Sequence, residues 1–167
     1  VIFDIIMQDE LSNLVPDETP LLFDPRFETV IYPKSLLIGL FSWLRGGFRK
    51  SLTHHYFLSF LRGTSPELVL TSSYFNTDFF SARRDYSNES CCRFAVFQRG
   101  HDNLQIFRPG SLLDGDLFFC ISEKYAEALR NLGFGGRLIS SGSLPSKLYF
   151  ERSRKKDPIR RVGFVSQ

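Results

Sequence analysis

Four groups of residues in this chain combine the types and the placement that chemistry needs. Asn76, Thr77 and Asp78 come after "ELVLTSS", and Gln98, Arg99, Gly100, His101 and Asp102 follow "FAVF". Glu123 follows "LFFCIS", and Ser141, Gly142 and Ser143 follow "RLIS". Together they offer amides, hydroxyls, carboxylates, a guanidinium and an imidazole. An imidazole titrates near pH 6.5, so His101 can take or give a proton close to neutrality. Gly100 would let backbone approach a ligand or adopt positive φ. Each group also has a plainer reading. Asn76 and Asp78 suit capping of the helix that follows them, His101 suits a loop bonded to backbone, and Gly142 suits a turn.

The elements that must position these residues are short apolar runs alternating with helical patterns. "VIFDII", "TPLLFD", "PELVLTSS", "CRFAVFQ", "GDLFFCIS" and "GRLISSGSL" read as strands. Runs that are apolar throughout indicate strands buried on both faces of a parallel sheet, covered by helices. The expected fold is therefore α/β, a Rossmann-like doubly wound parallel sheet, with "LVLTS", "FAVF", "LFFCI" and "RLIS" as central strands. In such sheets ligands bind outside the strands' carboxyl ends. That is where the four polar groups fall.

Between the strands, "MQDELSNLV" is helix-like up to Pro16. "YPKSLLIGLFSWLRGG" begins with Pro33 near a helix start and reads as a nearly all-round apolar, buried helix. "KSLTHHYFLSFLRG" puts Leu52, Tyr56 and Phe60 on one helical stripe closed by Gly63. "YFNTDFFSARRDYS" is a further helix. Ser122 caps "EKYAEALRNLG", whose core stripe is Tyr125, Ala128, Leu129 and Leu132 and whose stop is Gly133.

Composition bounds the function. The chain has 167 residues, 43% of them hydrophobic, with 18 Phe, enough for one sizeable core. Residues 147–161 hold seven basic and two acidic side chains, a balance of +5 against a whole-chain charge of +3, which leaves −2 for the rest. A near-neutral domain with a basic tail segment does not suit nucleic-acid binding. Cys91, Cys92 and Cys120 lack metal-ligand spacing and read as reduced thiols, and "VIFDII" lacks the features of a signal peptide, so the expected location is cytoplasmic. The longest apolar run, "SLLIGLFSWL", has ten residues, half of what a membrane span needs. His54 and His55 read as solvent-facing or structurally satisfied rather than as metal ligands, and no metal is expected.

In their linear order, "VIFDIIMQDELSNLVP", "SPELVLTSSYFNTDFF", "CRFAVFQRGHDN", "GDLFFCISEKYAEALRNLGF", "RLISSGSLPSKLY" and "RRVGFVSQ" resemble the bacterial surface carbohydrate biosynthesis proteins. That group is related to two-domain (GT-B) glycosyltransferases and to CDP-glycerol glycerophosphotransferases. Gln98, Gly100, Glu123, Gly142, Ser143 and Pro145 occupy positions that match the family's order, whereas Arg99 and His101 do not belong to its pattern. The resemblance implies an N-terminal, acceptor-side domain over 1–146, a basic linker over 147–161, and the first strand of a donor-side domain over 162–167.

It further implies transfer of a sugar or polyol phosphate from a nucleotide-activated donor to a glycan or lipid-linked acceptor, with no cofactor. Such transfer needs a base for the acceptor hydroxyl, which His101 suits by its titration near pH 6.5, with Asp102 and Asp78 as substitutes. Gln98, Arg99, Gly100, Asn76, Glu123, Ser141, Gly142 and Ser143 would bind substrate, and the protein would touch the membrane surface peripherally, at the inner face of the cell membrane. Two alternatives stay open: a non-catalytic two-lobe sugar-binding protein, and a nucleotide-sugar epimerase on the same scaffold. No G-x-G-x-x-G follows the first strand, which disfavours a classical dinucleotide enzyme.

Overall fold

The computed structural model describes residues 1–3, 8–12, 20–26, 28–46, 48–72, 76–87, 91–99 and 115–142. The expected linker and second-domain strand (147–167) lie outside these residues, as do Gly100, His101, Asp102 and Ser143.

Six strands form one sheet: β1 (Ile2–Phe3), β2 (Leu22–Phe23), β3 (Leu68–Thr71), β4 (Arg93–Phe97), β5 (Leu117–Cys120) and β6 (Arg137–Ser140). Their order across the sheet is β2-β1-β3-β4-β5-β6, and every neighbouring pair is parallel. Five helices accompany them: α1 (Gln8–Ser12), α2 (Pro33–Arg45), α3 (Leu52–Thr64), α4 (Thr77–Ser87) and α5 (Glu123–Asn131).

The unbroken apolarity of "FAVF" has its expected cause. β4 sits inside the sheet with Phe94 to Phe97 all buried. "RLIS", in contrast, is an edge strand rather than a central one, and its ends Arg137 and Ser140 are exposed. Two middle apolar residues sufficed to make it look buried; the flanking polar ones reveal an edge.

Alternation of side chains divides the core into two layers. Phe3, Phe23, Val69, Phe94, Val96, Phe118 and Cys120 face a large cluster shared with α3, α4 and α5. Ile2, Leu70, Ala95 and Phe97 face the other side, where α1 contributes Leu11. Helices thus lie on both faces, and the fold is a Rossmann-like doubly wound α/β domain. Much of the first layer is aromatic: Phe3 meets Phe57 edge-on at 4.6 Å and Phe79 at 5.2 Å. Each fully buried ring contributes about 1.5–3 kcal/mol.

Helix ends follow side-chain chemistry. Ser51 Oγ accepts from His54 N at the start of α3, and Ser122 Oγ accepts from Tyr125 N at the start of α5. Gly133, at φ 89, ends α5. Its N–H bonds Arg130 O while Phe134 N bonds Leu129 O, which satisfies the last carbonyls. Within α5 the buried set is Tyr125, Ala126 and Leu129, so Ala126 takes the inward place expected of the half-buried Ala128. α3 runs past Gly63 and ends at Ser65, which takes the left-handed conformation at φ 47.

The largest departure concerns α2. Only Gly39 on it is fully buried, while Leu37, Ile38, Phe41 and Leu44 are exposed. The helix lies outside the sheet layers, against α3. A Cβ on Gly39 would stand 2.7 Å from Tyr56 Cα. The close crossing needs glycine, and it uses one face of α2 only.

Candidate functional site

The strand order reverses direction at β1. The chain leaves β1 for β2 on one side and returns to β3 on the other. That makes the carboxyl ends of β1 and β3 the switch point, where crevices form in such sheets. The helices that follow β3 and β5 begin at this same edge.

At the end of β3, Thr71 and Ser72 are buried and hydrogen-bonded or otherwise engaged. Asn76 Oδ1 then accepts from Asp78 N at 2.9 Å and Phe79 N at 3.2 Å, so Asn76 caps α4. Asp78 Oδ1 accepts from Ser51 Oγ at 2.6 Å. That contact joins the start of α4 to the start of α3.

At the end of β4, Gln98 is 2% exposed. Its N–H bonds Phe119 O, and its Oε1 accepts from Ile121 N at 2.9 Å. Gln98 therefore holds the carboxyl ends of β4 and β5 together. Arg99 beside it is exposed. Further along the edge, Glu123 is exposed and contacts Arg130 of its own helix at 3.3 Å. Ser141 and Gly142 are exposed after β6, with Gly142 at φ 77.

Only some of the sequence-predicted groups are brought together. Asn76 and Asp78 meet at the starts of α3 and α4, and Gln98 meets β5. Ser141 and Gly142 follow β6, three strands from β3, which is about 14 Å at a spacing near 4.8 Å. One small ligand at the switch point would not touch both.

Several polar residues at this edge escaped the sequence reading. Asp24, directly after β2, is fully buried. Its carboxylate accepts from the backbone N–H groups of Arg26, Glu28 and Thr29 and from Thr29 Oγ1. Burial pushes its carboxyl up, but these hydrogen bonds prevail and hold it below its ordinary value. The signal was available, since Asp24 immediately follows the apolar "LLF".

A second polar group joins α3 to α4. His54, 1% exposed, approaches Asp85 Oδ2 with Nε2 at 3.1 Å, and Lys50 Nζ approaches the same oxygen at 2.6 Å. Burial above all, then Lys50, lowers the His54 pKa against the opposing pull of Asp85. The ring is thus neutral at neutral pH. Because a carboxylate only accepts, Nε2 carries the proton and donates it, while Nδ1 finds no partner among the described residues. His55 Nδ1 lies 3.0 Å from Ser42 Oγ of α2. Both histidines are structurally engaged, as expected.

Cys92 and Cys120 are buried, their thiols pushed up to about 11 by burial, whereas Cys91 is exposed. A pocket of about 350 Å³ lies at the opposite end of the sheet, lined by Arg62, Glu67, Tyr86 and Cys91 among others. It sits beside the starts of β3 and β4, away from the switch point. Among the described residues no three His, Cys, Asp or Glu side chains gather as a metal site, and no helix is long and apolar enough to cross a membrane.

The fold and the polar carboxyl edge define a Rossmann-like α/β domain. No family model, curated protein or solved structure matches the chain.

Proposed function

We propose that this domain is the acceptor-side lobe of a glycosyltransferase-like enzyme of surface polysaccharide biosynthesis, moving a sugar or polyol phosphate from a nucleotide-activated donor to a glycan acceptor. The observation that carries the reading is the carboxyl edge of the sheet. There the half-buried Asn76 and the exposed Arg99 come after the neighbouring strands β3 and β4, and Thr71, Ser72 and Gln98 are buried at the same strand ends. Neutral donors and acceptors suit a hydroxyl-rich ligand, and a guanidinium suits a phosphate. In this reading His101 takes the proton of the acceptor hydroxyl. The freed oxygen bonds the transferred carbon or phosphorus, and the donor's phosphate leaves with the bonding electrons, steadied by Arg99. A second lobe would hold the donor nucleotide.

Amide chemical shifts of the labelled 167-residue chain, titrated separately with oligosaccharides and with nucleoside diphosphates, test this. Oligosaccharide should move Ser72, Asn76, Gln98 and Arg99, with little response to nucleotide. Tight uridine or cytidine diphosphate binding, or no response to any glycan, overturns it.

One observation favours a second reading, a sugar-binding protein without catalysis. Asn76, Asp78 and Gln98 each commit an oxygen to backbone or to a neighbouring helix. Under that reading glycans bind but no transfer from any nucleotide-activated donor is detected in the full-length protein.

A further inference from the structure

The outward face of α2 is the least expected surface in the molecule. Among the described residues, the exposed large hydrophobic side chains are Leu21, Ile31, Leu37, Ile38, Phe41, Leu44 and Phe48. All but the first two lie on α2 or in the turn after it. Phe41 and Phe48 are 66% and 60% exposed. On a helical wheel Leu37, Phe41 and Leu44 share one side with Ile38 at its margin, opposite Gly39. Because the Gly39 contact with Tyr56 locks the helix against α3, α2 cannot roll this face inward. Phe48 extends the patch beyond the helix end. It adopts φ 63, rare for a bulky residue, and packs edge-on against Trp43 at 4.5 Å.

Along the chain, the charges flanking this face have one sign. From Thr29 to Pro66 the chain has five basic residues (Lys34, Arg45, Arg49, Lys50 and Arg62) and no acidic one. Lys34 stands exposed in the first turn of α2, Arg45 at its last residue, and Arg49 just beyond. Lys50 is paired with Asp85 and so adds little.

We propose that α2 docks the protein on an anionic lipid bilayer, lying flat with Leu37, Ile38, Phe41, Leu44 and Phe48 in the interface and Lys34, Arg45 and Arg49 at the headgroups. A helix of 13 residues is about 20 Å long, too short to span but suited to lie in the interface plane. Long basic side chains at both ends can reach the headgroups while the apolar middle sinks. A second copy of this chain fits less well, since pairing two such faces sets Lys34, Arg45 and Arg49 of one copy against those of the other. The inference stands independently of the glycosyltransferase reading, because lipid binding needs neither donor nor acceptor.

The test is co-sedimentation of the 167-residue chain with phosphatidylglycerol/phosphatidylcholine vesicles and with phosphatidylcholine alone, together with emission from Trp43, the only tryptophan. The chain should pellet at least about tenfold more with the anionic vesicles, its emission shifting to the blue, and high salt should reduce both. Leu37→Asp/Phe41→Asp should weaken partitioning more than about tenfold at an unchanged melting temperature, the residues being exposed. Should that pair unfold the chain, Phe41→Ser carries the same comparison. Lys34→Glu/Arg45→Glu should abolish the preference for anionic lipid. Absence of binding, equal binding to both vesicles, or a concentration-dependent dimer that Leu37→Asp/Phe41→Asp dissolves overturns the proposal, the last by giving the face to a second copy.

Discussion

Gln98 Oε1, at the end of β4, accepts a hydrogen bond of 2.9 Å from Ile121 N, just past β5. Parallel strands end without a shared turn, so the N–H beyond β5 needs a partner from elsewhere, and a buried amide one strand away supplies it. Gln98→Leu keeps the size but leaves that N–H without its acceptor. We expect a loss of about 1–3 kcal/mol in urea unfolding. An unchanged midpoint would show that the bond contributes nothing.

Gly39→Ala opposes two effects of known sign. Alanine favours the helix by up to about 1 kcal/mol. Its Cβ would stand 2.7 Å from Tyr56 Cα and 2.8 Å from Tyr56 N, however, and these are backbone atoms that cannot swing away. Forcing the helices apart typically costs about 1–3 kcal/mol, so the net effect is destabilising. Calorimetry giving a higher melting temperature for Gly39→Ala would mean that α2 shifts freely on α3.

The two helix-face histidines set a pH dependence. Burial first, then Lys50, lowers the pKa of both His54 and His55 below 6.5. The unfolded chain therefore binds protons that the folded one refuses. Stability should be full above about pH 6.5 and fall as pH drops below it, until the folded-state values are passed. Asp24 and Asp85, both lowered, add a separate loss only below their ordinary value of 3.8. Unfolding of His54→Gln/His55→Gln followed from pH 7 to 5 should give a flatter profile than the parent. An equal slope in both would assign the effect to other groups.

These contacts mark how far the sequence could be read. β4 was legible because "FAVF" is apolar on both faces, and α5 because Ser122 and Gly133 bracket an amphipathic run. α2 misled because apolar composition does not say which face meets the protein. A glycine crossing replaced the broad burial that its leucines suggested. At the site, position after a strand was readable, and it located Asn76, Gln98 and Ser141. The partners of those side chains were not, because Ser51 with Asp78 and Gln98 with Ile121 are contacts across 27 and 23 residues.

Asp78 and His101 separate scaffold from chemistry. Asp78 accepts from Ser51 at 2.6 Å in a solvent-exposed contact, so Asp78→Asn should cost no more than about 1 kcal/mol and leave turnover nearly intact. His101 would be the group that takes the acceptor proton, and losing a general base removes about 10²–10⁴-fold in rate. Under the glycosyltransferase proposal, His101→Ala should lower turnover by about that factor, at nearly unchanged melting temperature, and remove the acidic limb of the pH–rate profile. Measuring both variants side by side decides the assignment. Full activity in His101→Ala with a collapse in Asp78→Asn would move the base from His101 to Asp78 at the start of α4, and the contact with Ser51 would then hold that carboxylate in place for the proton it receives.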